Sequence, residues 1–83
     1  MSVKDQIRDI LAAHGRLAVD AQSVEDDADL YELGLTSHAS VNVMLALEDE
    51  FDVEFPDEDL KKATFATVSN LEAVVSKLLA GVA

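Results

Sequence analysis

The stretch Glu32-Leu33-Gly34-Leu35-Thr36-Ser37-His38-Ala39-Ser40-Val41 contains the residues with most chemical promise. Ser37 beside His38 raises the question of nucleophilic catalysis. Neighbours at i and i+1 on a helix point in different directions, and no third residue offers itself to orient the histidine. The other histidine, His14, ends a helical segment, where its ring can meet the last carbonyls. No catalytic set is assembled. The acidic run from Glu48 to Asp59 raises the question of calcium. It lacks the glycine and the alternating ligand spacing of an EF-hand loop, so no dedicated metal site is expected. There is no glycine-rich phosphate loop. What remains is Ser37 itself, a hydroxyl after a glycine turn and before a long apolar-periodic segment. As the N-cap of that segment it would satisfy a backbone N–H, worth about 1 kcal/mol. A phosphate ester on the same oxygen would also be favoured, because helix N-termini attract anions. The residues alone leave both roles open.

The elements that must position Ser37 are helical. Val3, Ile7, Ile10, Leu11 and His14 recur at helical spacing, which predicts helix one from about Val3 to His14 with Gly15 as its C′ residue. Helix two is predicted from near Ser37 to near Asp52, with Ser40, Val43, Met44, Leu47 and Phe51 on its core face. Thr67 is the expected N-cap of a last helix. Its stripe is Val68, Leu71, Val74, Val75, Leu78 and Val82, and Gly81 marks its end. Pro56 to Leu60 can start a short helix, with Leu60, Ala63 and Phe65 as anchors. The expected fold is therefore all-α: a small four-helix bundle, three main helices plus one short helix, forming one domain over residues 1–83. About twenty residues between Gly15 and Thr36 show no periodicity, and loops that long are often functional. Leu17, Val19, Val24, Leu30, Tyr31, Leu33 and Leu35 can pin this loop across the bundle, so it is expected to be ordered.

Composition narrows the partners. The 83 residues include 17 acidic side chains against six Lys and Arg, a net charge of −11. Thirteen of the acids lie between Glu25 and Asp59, where there is no Lys or Arg. That distribution argues against nucleic acid and anionic membranes and suits a partner with a basic surface. The chain has no cysteine, which excludes disulfides and thiol chemistry of its own. Without a long apolar run, no signal peptide or membrane span is expected, and a cytoplasmic monomer is the default.

Helix two has a second face. His38, Val41, Leu45, Glu48 and Asp52 are spaced 3, 4, 3 and 4 along it. Val41 and Leu45 point away from the core centre, yet they are apolar, and Glu48, Asp49 and Asp52 surround the lower end. Apolar knobs ringed by charge make a reasonable docking surface. The same two residues could instead contact the long loop.

The combination of Asp29-Leu30-Tyr31-Glu32-Leu33-Gly34-Leu35-Thr36-Ser37 with Val41 to Leu47, Glu48-Asp49-Glu50-Phe51-Asp52 and Phe55-Pro56-Asp57 resembles the acyl carrier proteins over nearly the whole chain. The resemblance implies that Ser37 carries 4′-phosphopantetheine, installed from coenzyme A by a phosphopantetheinyl transferase with magnesium. It implies a non-catalytic carrier that holds an acyl or aminoacyl thioester and presents it to partner enzymes. His38, Val41, Leu45, Glu48 and Asp49 would form the docking face for a loading ligase or synthase. The usual pattern at the attachment point is Asp-Ser-Leu; here it is Thr36-Ser37-His38, and Asn42 stands where a glutamate is common. The version Gly34-Leu35-Thr36-Ser37-His38-Ala39-Ser40-Val41 is similar to stand-alone aminoacyl carrier proteins, which are charged by ligases resembling truncated seryl-tRNA synthetases. A specialised fatty acyl carrier remains the other possibility within the family. Outside it, the alternative is an unmodified acidic helical interaction module.

Overall fold

Three helices carry the architecture, and each begins at a hydroxyl. The computed structural model describes residues 2–81. Helix α1 spans Val3–Ile10, α2 Ser37–Phe51 and α3 Val68–Gly81. The N–H of Asp5 donates to Ser2 Oγ (3.1 Å), that of Ala39 to Thr36 Oγ1 (3.0 Å) and that of Asn70 to Thr67 Oγ1 (3.0 Å). Each side-chain oxygen satisfies a backbone donor that the helix itself leaves without a partner. Thr67 therefore caps α3 as its sequence predicts. At α2 the capping residue is Thr36, and Ser37 is the first helical residue. Among the described residues there is no β-strand.

The core is aliphatic, as a chain without Trp requires. Ile7, Leu11, Leu30, Val43, Leu47, Val68, Leu71 and Val75 are fully buried. Phe55 and Phe65 stack beside them with ring centroids 5.9 Å apart. Helix α1 packs on α3, and the turn that follows α1 packs on α2. Burying each of these large side chains stabilises the fold by roughly 1.5–3 kcal/mol against the entropy of ordering it.

Several details differ from expectation. Helix one continues as a π-helical turn, Leu11–Gly15, and the left-handed residue after it is Arg16 (φ 52°). Gly15 is buried inside that turn, where an added Cβ would lie 3.3 Å from Leu11 Cδ2. Its small size thus serves packing, and it is not the C′ residue. On α2 the buried line is Ala39, Val43 and Leu47, while Ser40, Met44 and Phe51 are half-buried on its flank. The short fourth helix is replaced by two 3-10 turns, Asp57–Asp59 and Lys62–Phe65, with Pro56 just before the first. Phe65 anchors this segment, but Leu60 and Ala63 are exposed. Helix α3 is helical through Gly81, and Val82 lies outside the described residues.

The long connection between α1 and α2 is ordered by specific bonds. Val24, Leu30 and Leu35 are buried, while Val19 is exposed, contrary to expectation. The N–H of Ala18 donates to Leu33 O (2.7 Å), and that of Leu30 to Ala66 O (2.7 Å). Asp26 ties the connection to the helices. Its carboxylate accepts from Lys4 Nζ (2.7 Å) and from the Arg8 guanidinium, which also donates to Val24 O. Its carbonyl accepts from the N–H of Ser69 (3.0 Å). The hydrogen bonds from Lys4 and Arg8 hold the Asp26 carboxyl below its ordinary range, and the bond to Asp26 raises Lys4 in turn.

Candidate functional site

The approach to Ser37 is built by a crossing of two loop segments. Gly34 has φ +111°, a region that L side chains rarely adopt, and an added Cβ would sit 3.2 Å from the backbone nitrogen of Ala18. Glycine therefore lets residues 33–35 pass close to residues 16–18, and the Ala18–Leu33 hydrogen bond locks the crossing. The N–H of Leu35 also donates to Leu30 O (3.0 Å). The chain then turns directly into α2.

Ser37 is exposed at the first position of that helix. Because Thr36 makes the cap bond, the Ser37 hydroxyl is not spent on it. The first turn is otherwise satisfied: the N–H of Ser40 donates to Thr36 O (2.9 Å), and Ser40 Oγ donates to Ser37 O (2.7 Å). The sequence could not assign the cap, because Thr36 and Ser37 carry the same functional group at neighbouring positions. The backbone decides it. Thr36 is extended (φ −95°, ψ 166°), the conformation that aims an N-cap oxygen at the N–H three residues on.

The predicted docking residues fall into two groups. Val41 and Leu45 are 51% and 53% exposed, so neither is covered by the long connection. His38 and Asp49 are also exposed, and spacing places them on the same side of α2. Glu48 is half-buried and serves the fold, since its Oε2 accepts the N–H of Phe55 (2.8 Å) and holds the chain that leaves α2. Among the described residues, no group of three or more His, Cys, Asp or Glu could hold a metal ion.

A feature that the periodicity did not reveal lies beside Ser37. A groove of about 390 Å³ runs between α2 and the segment after it. Ser37, Ser40, Val41 and Met44 form one wall, and Tyr31, Leu60, Lys61, Lys62 and Phe65 form the other. Lys62 Nζ lies 4.9 Å from the centre of the Tyr31 ring, and the Tyr31 hydroxyl donates to Lys62 O (3.2 Å). Burial, and then the charge of Asp29, raise the Tyr31 phenol above its ordinary value. The one signal in the sequence was the Lys61-Lys62 pair that closes the acidic run.

An exposed serine hydroxyl at a helix start, with a groove and two cations beside it, has the chemistry to accept a phosphate-linked group. A family model described as a phosphopantetheine attachment site matches residues 5–75. The chain belongs to that family. It is a carrier protein whose covalent prosthetic group is 4′-phosphopantetheine. The carrier is 45% identical, over 90% of each chain, to an aminoacyl carrier protein of Agrobacterium fabrum. Its fold is similar to that of the carrier protein from Agrobacterium tumefaciens in a crystal structure with an engineered Bradyrhizobium japonicum glycine:carrier protein ligase and AMP. That similarity is at 43% identity and a TM-score of 0.86, covering 89% of this chain and 99% of the other. The carrier is also similar to the glycylated carrier protein in complex with the Bradyrhizobium japonicum ligase. There the identity is 32% and the TM-score 0.74, over 86% and 95% of the two chains.

Proposed function

We propose that Ser37 carries the phosphopantetheine arm and that an ATP-using ligase loads the arm with a small amino acid. The observation that carries this reading is the division of labour at the start of α2: Thr36 caps, and the exposed Ser37 hydroxyl is left for modification. The arm supplies the thiol on which cargo rides as a thioester, so a chain without cysteine suffices. Residues 1–83 act as one monomeric carrier domain in the cytoplasm. The chain contributes no catalytic group; it is a substrate of the transferase and of the ligase.

The amino-acid cargo is favoured by the relatives, two of which stand in complexes with a glycine ligase. The surface agrees with it. His38 replaces an apolar residue next to the attachment point, and the exposed acids Asp49 and Asp52 can attract an ammonium group. A long fatty chain would need apolar cover, because each exposed CH₂ costs about 0.8 kcal/mol. Val41 and Leu45 form the apolar centre of the docking face, with His38 and Asp49 at its rim. Glu48 adds its charge from a half-buried position while holding Phe55. A partner with a basic patch is steered onto this face, and rim charges act mostly on association rate.

The test has two stages. Incubation with coenzyme A, magnesium and a broad phosphopantetheinyl transferase should add one arm by intact mass, and Ser37→Ala should abolish it. The holo-carrier is then offered to an aminoacylating ligase of the seryl-tRNA synthetase type and to a fatty acyl loading enzyme. Thioester formation with the ligase is expected. Efficient loading by the fatty enzyme alone would overturn the amino-acid cargo and leave the carrier role standing.

A further inference from the structure

We propose that Lys61 and Lys62 hold the phosphate of the arm on Ser37, and that the groove beside them seats the arm's apolar stem. This rests on Ser37 being the attachment residue. The starting observation is how the chain's few cations are used. Lys4 and Arg8 are committed to Asp26, and Lys77 to Asp59 (2.7 Å). Arg16, Lys61 and Lys62 make no ion pair among the described residues, although the two lysines come one residue after a run of acids. Both lysines line the same groove as Ser37.

Lys62 is positioned rather than loose. The Tyr31 ring lies under its ammonium group, and the Tyr31 hydroxyl holds its carbonyl. The negative face of the ring attracts the ammonium group and holds it in place. An aromatic face leaves the outer side of the ammonium open to an anion. The groove also carries apolar side chains: Leu60 is 44% and Val41 51% exposed, and Met44 of α2 is half-buried. A phosphodiester tethered at Ser37 matches this layout, its anion facing the two lysines and its branched aliphatic stem facing Leu60 and Met44. Tethering makes the contact intramolecular, so weak individual contacts suffice. The same two lysines repel the ammonium of an aminoacyl group. The thioester end is thereby kept out of the groove and presented to partners.

The experiment compares amide NMR spectra of apo- and holo-carrier, after intact mass has confirmed one arm that is absent in Ser37→Ala. In the wild type, attachment should shift the amides of Tyr31, Met44, Lys62 and Phe65 as well as those around Ser37. In the Lys61→Gln/Lys62→Gln carrier the shifts on the far wall should be lost, and in Lys61→Arg/Lys62→Arg they should return. Sodium chloride at about 1 M, where the screening length falls to about 3 Å, should shrink them in the wild type. Both lysines are exposed, and the apo spectrum of each variant checks that the fold is kept. Shifts confined to the neighbours of Ser37 in the wild type, or far-wall shifts that persist in the double Gln variant, would overturn the proposal. A carrier that gains no arm, or gains it in Ser37→Ala, would instead sink the attachment reading.

Discussion

Thr36 and Ser37 are adjacent hydroxyls with opposite expected consequences when each is changed to Ala. Thr36→Ala removes the oxygen that accepts the Ala39 N–H at 3.0 Å. Loss of such a cap costs about 1 kcal/mol, within a range of roughly 0.5–2. For a domain of this size, each kcal/mol moves the melting temperature by about 4–8 °C. Ser37→Ala removes no bond that α2 depends on. It replaces an exposed serine by the best helix former, a gain of roughly a few tenths of a kcal/mol. Thermal melts followed by circular dichroism should therefore show Thr36→Ala lowered by about 4–8 °C and Ser37→Ala unchanged or slightly raised. Intact mass after transferase treatment should show the reverse pattern, with the arm present in Thr36→Ala and absent in Ser37→Ala. A loss of about 1 kcal/mol in Ser37→Ala, with Thr36→Ala silent, would refute this division of roles, since the cap would then be Ser37.

Asp26→Asn should destabilise the fold at neutral pH, because the carboxylate joins Lys4 and Arg8 to the long connection. The folded value of Asp26 is depressed below 3.8, so its contribution is present above that pH and is lost as pH falls through the folded value. The gap between wild type and variant in urea titrations should thus hold at pH 7 and close in acid. Leu45→Asp and Val41→Asp should weaken ligase binding with little change in melting temperature, whereas Leu47→Ala, close by on α2 but fully buried, should cost about 2–5 kcal/mol. A collapse of helicity in the Asp variants would place those side chains in the core. Sodium chloride or millimolar magnesium should raise the melting temperature at neutral pH by screening the acidic band; a flat response would mean that the acids are already compensated.

Much of this protein was legible along the chain. Helical periodicity located all three helices to within a few residues, because a small domain must turn its apolar stripes inward. Thr67 was readable as a cap because no competing hydroxyl precedes the Val68 stripe directly. The offset of Val41 and Leu45 from the core line of α2 was legible too, but only the structure shows that the long connection leaves both exposed. The glycine turn and serine, with the apolar helix and acidic end behind them, were specific enough to point to the carrier family.

Other features depend on contacts between residues distant in sequence, and local pattern does not encode those. Glycine at position 15 looked like a helix stop, but the π-helical turn carries the left-handed step on to Arg16, and Leu11 fills the space that a Cβ would need. Leu60 and Val19 are apolar and yet exposed, because the turns that carry them face solvent while Phe65 and Val24 take the core positions. Glu48 fits the docking stripe by spacing, and the returning chain also brings the Phe55 N–H to its carboxylate, a second role that spacing does not show. The choice between Thr36 and Ser37 as cap required backbone dihedrals. The groove required α2 and residues 60–65 to be set side by side, with Tyr31 from the long connection holding Lys62. The amino-acid order thus determined where helices form and which hydroxyl belongs to the carrier motif. Only the packing of the helices decided which side chains meet across space, because burial and hydrogen-bond geometry are properties of the assembled chain.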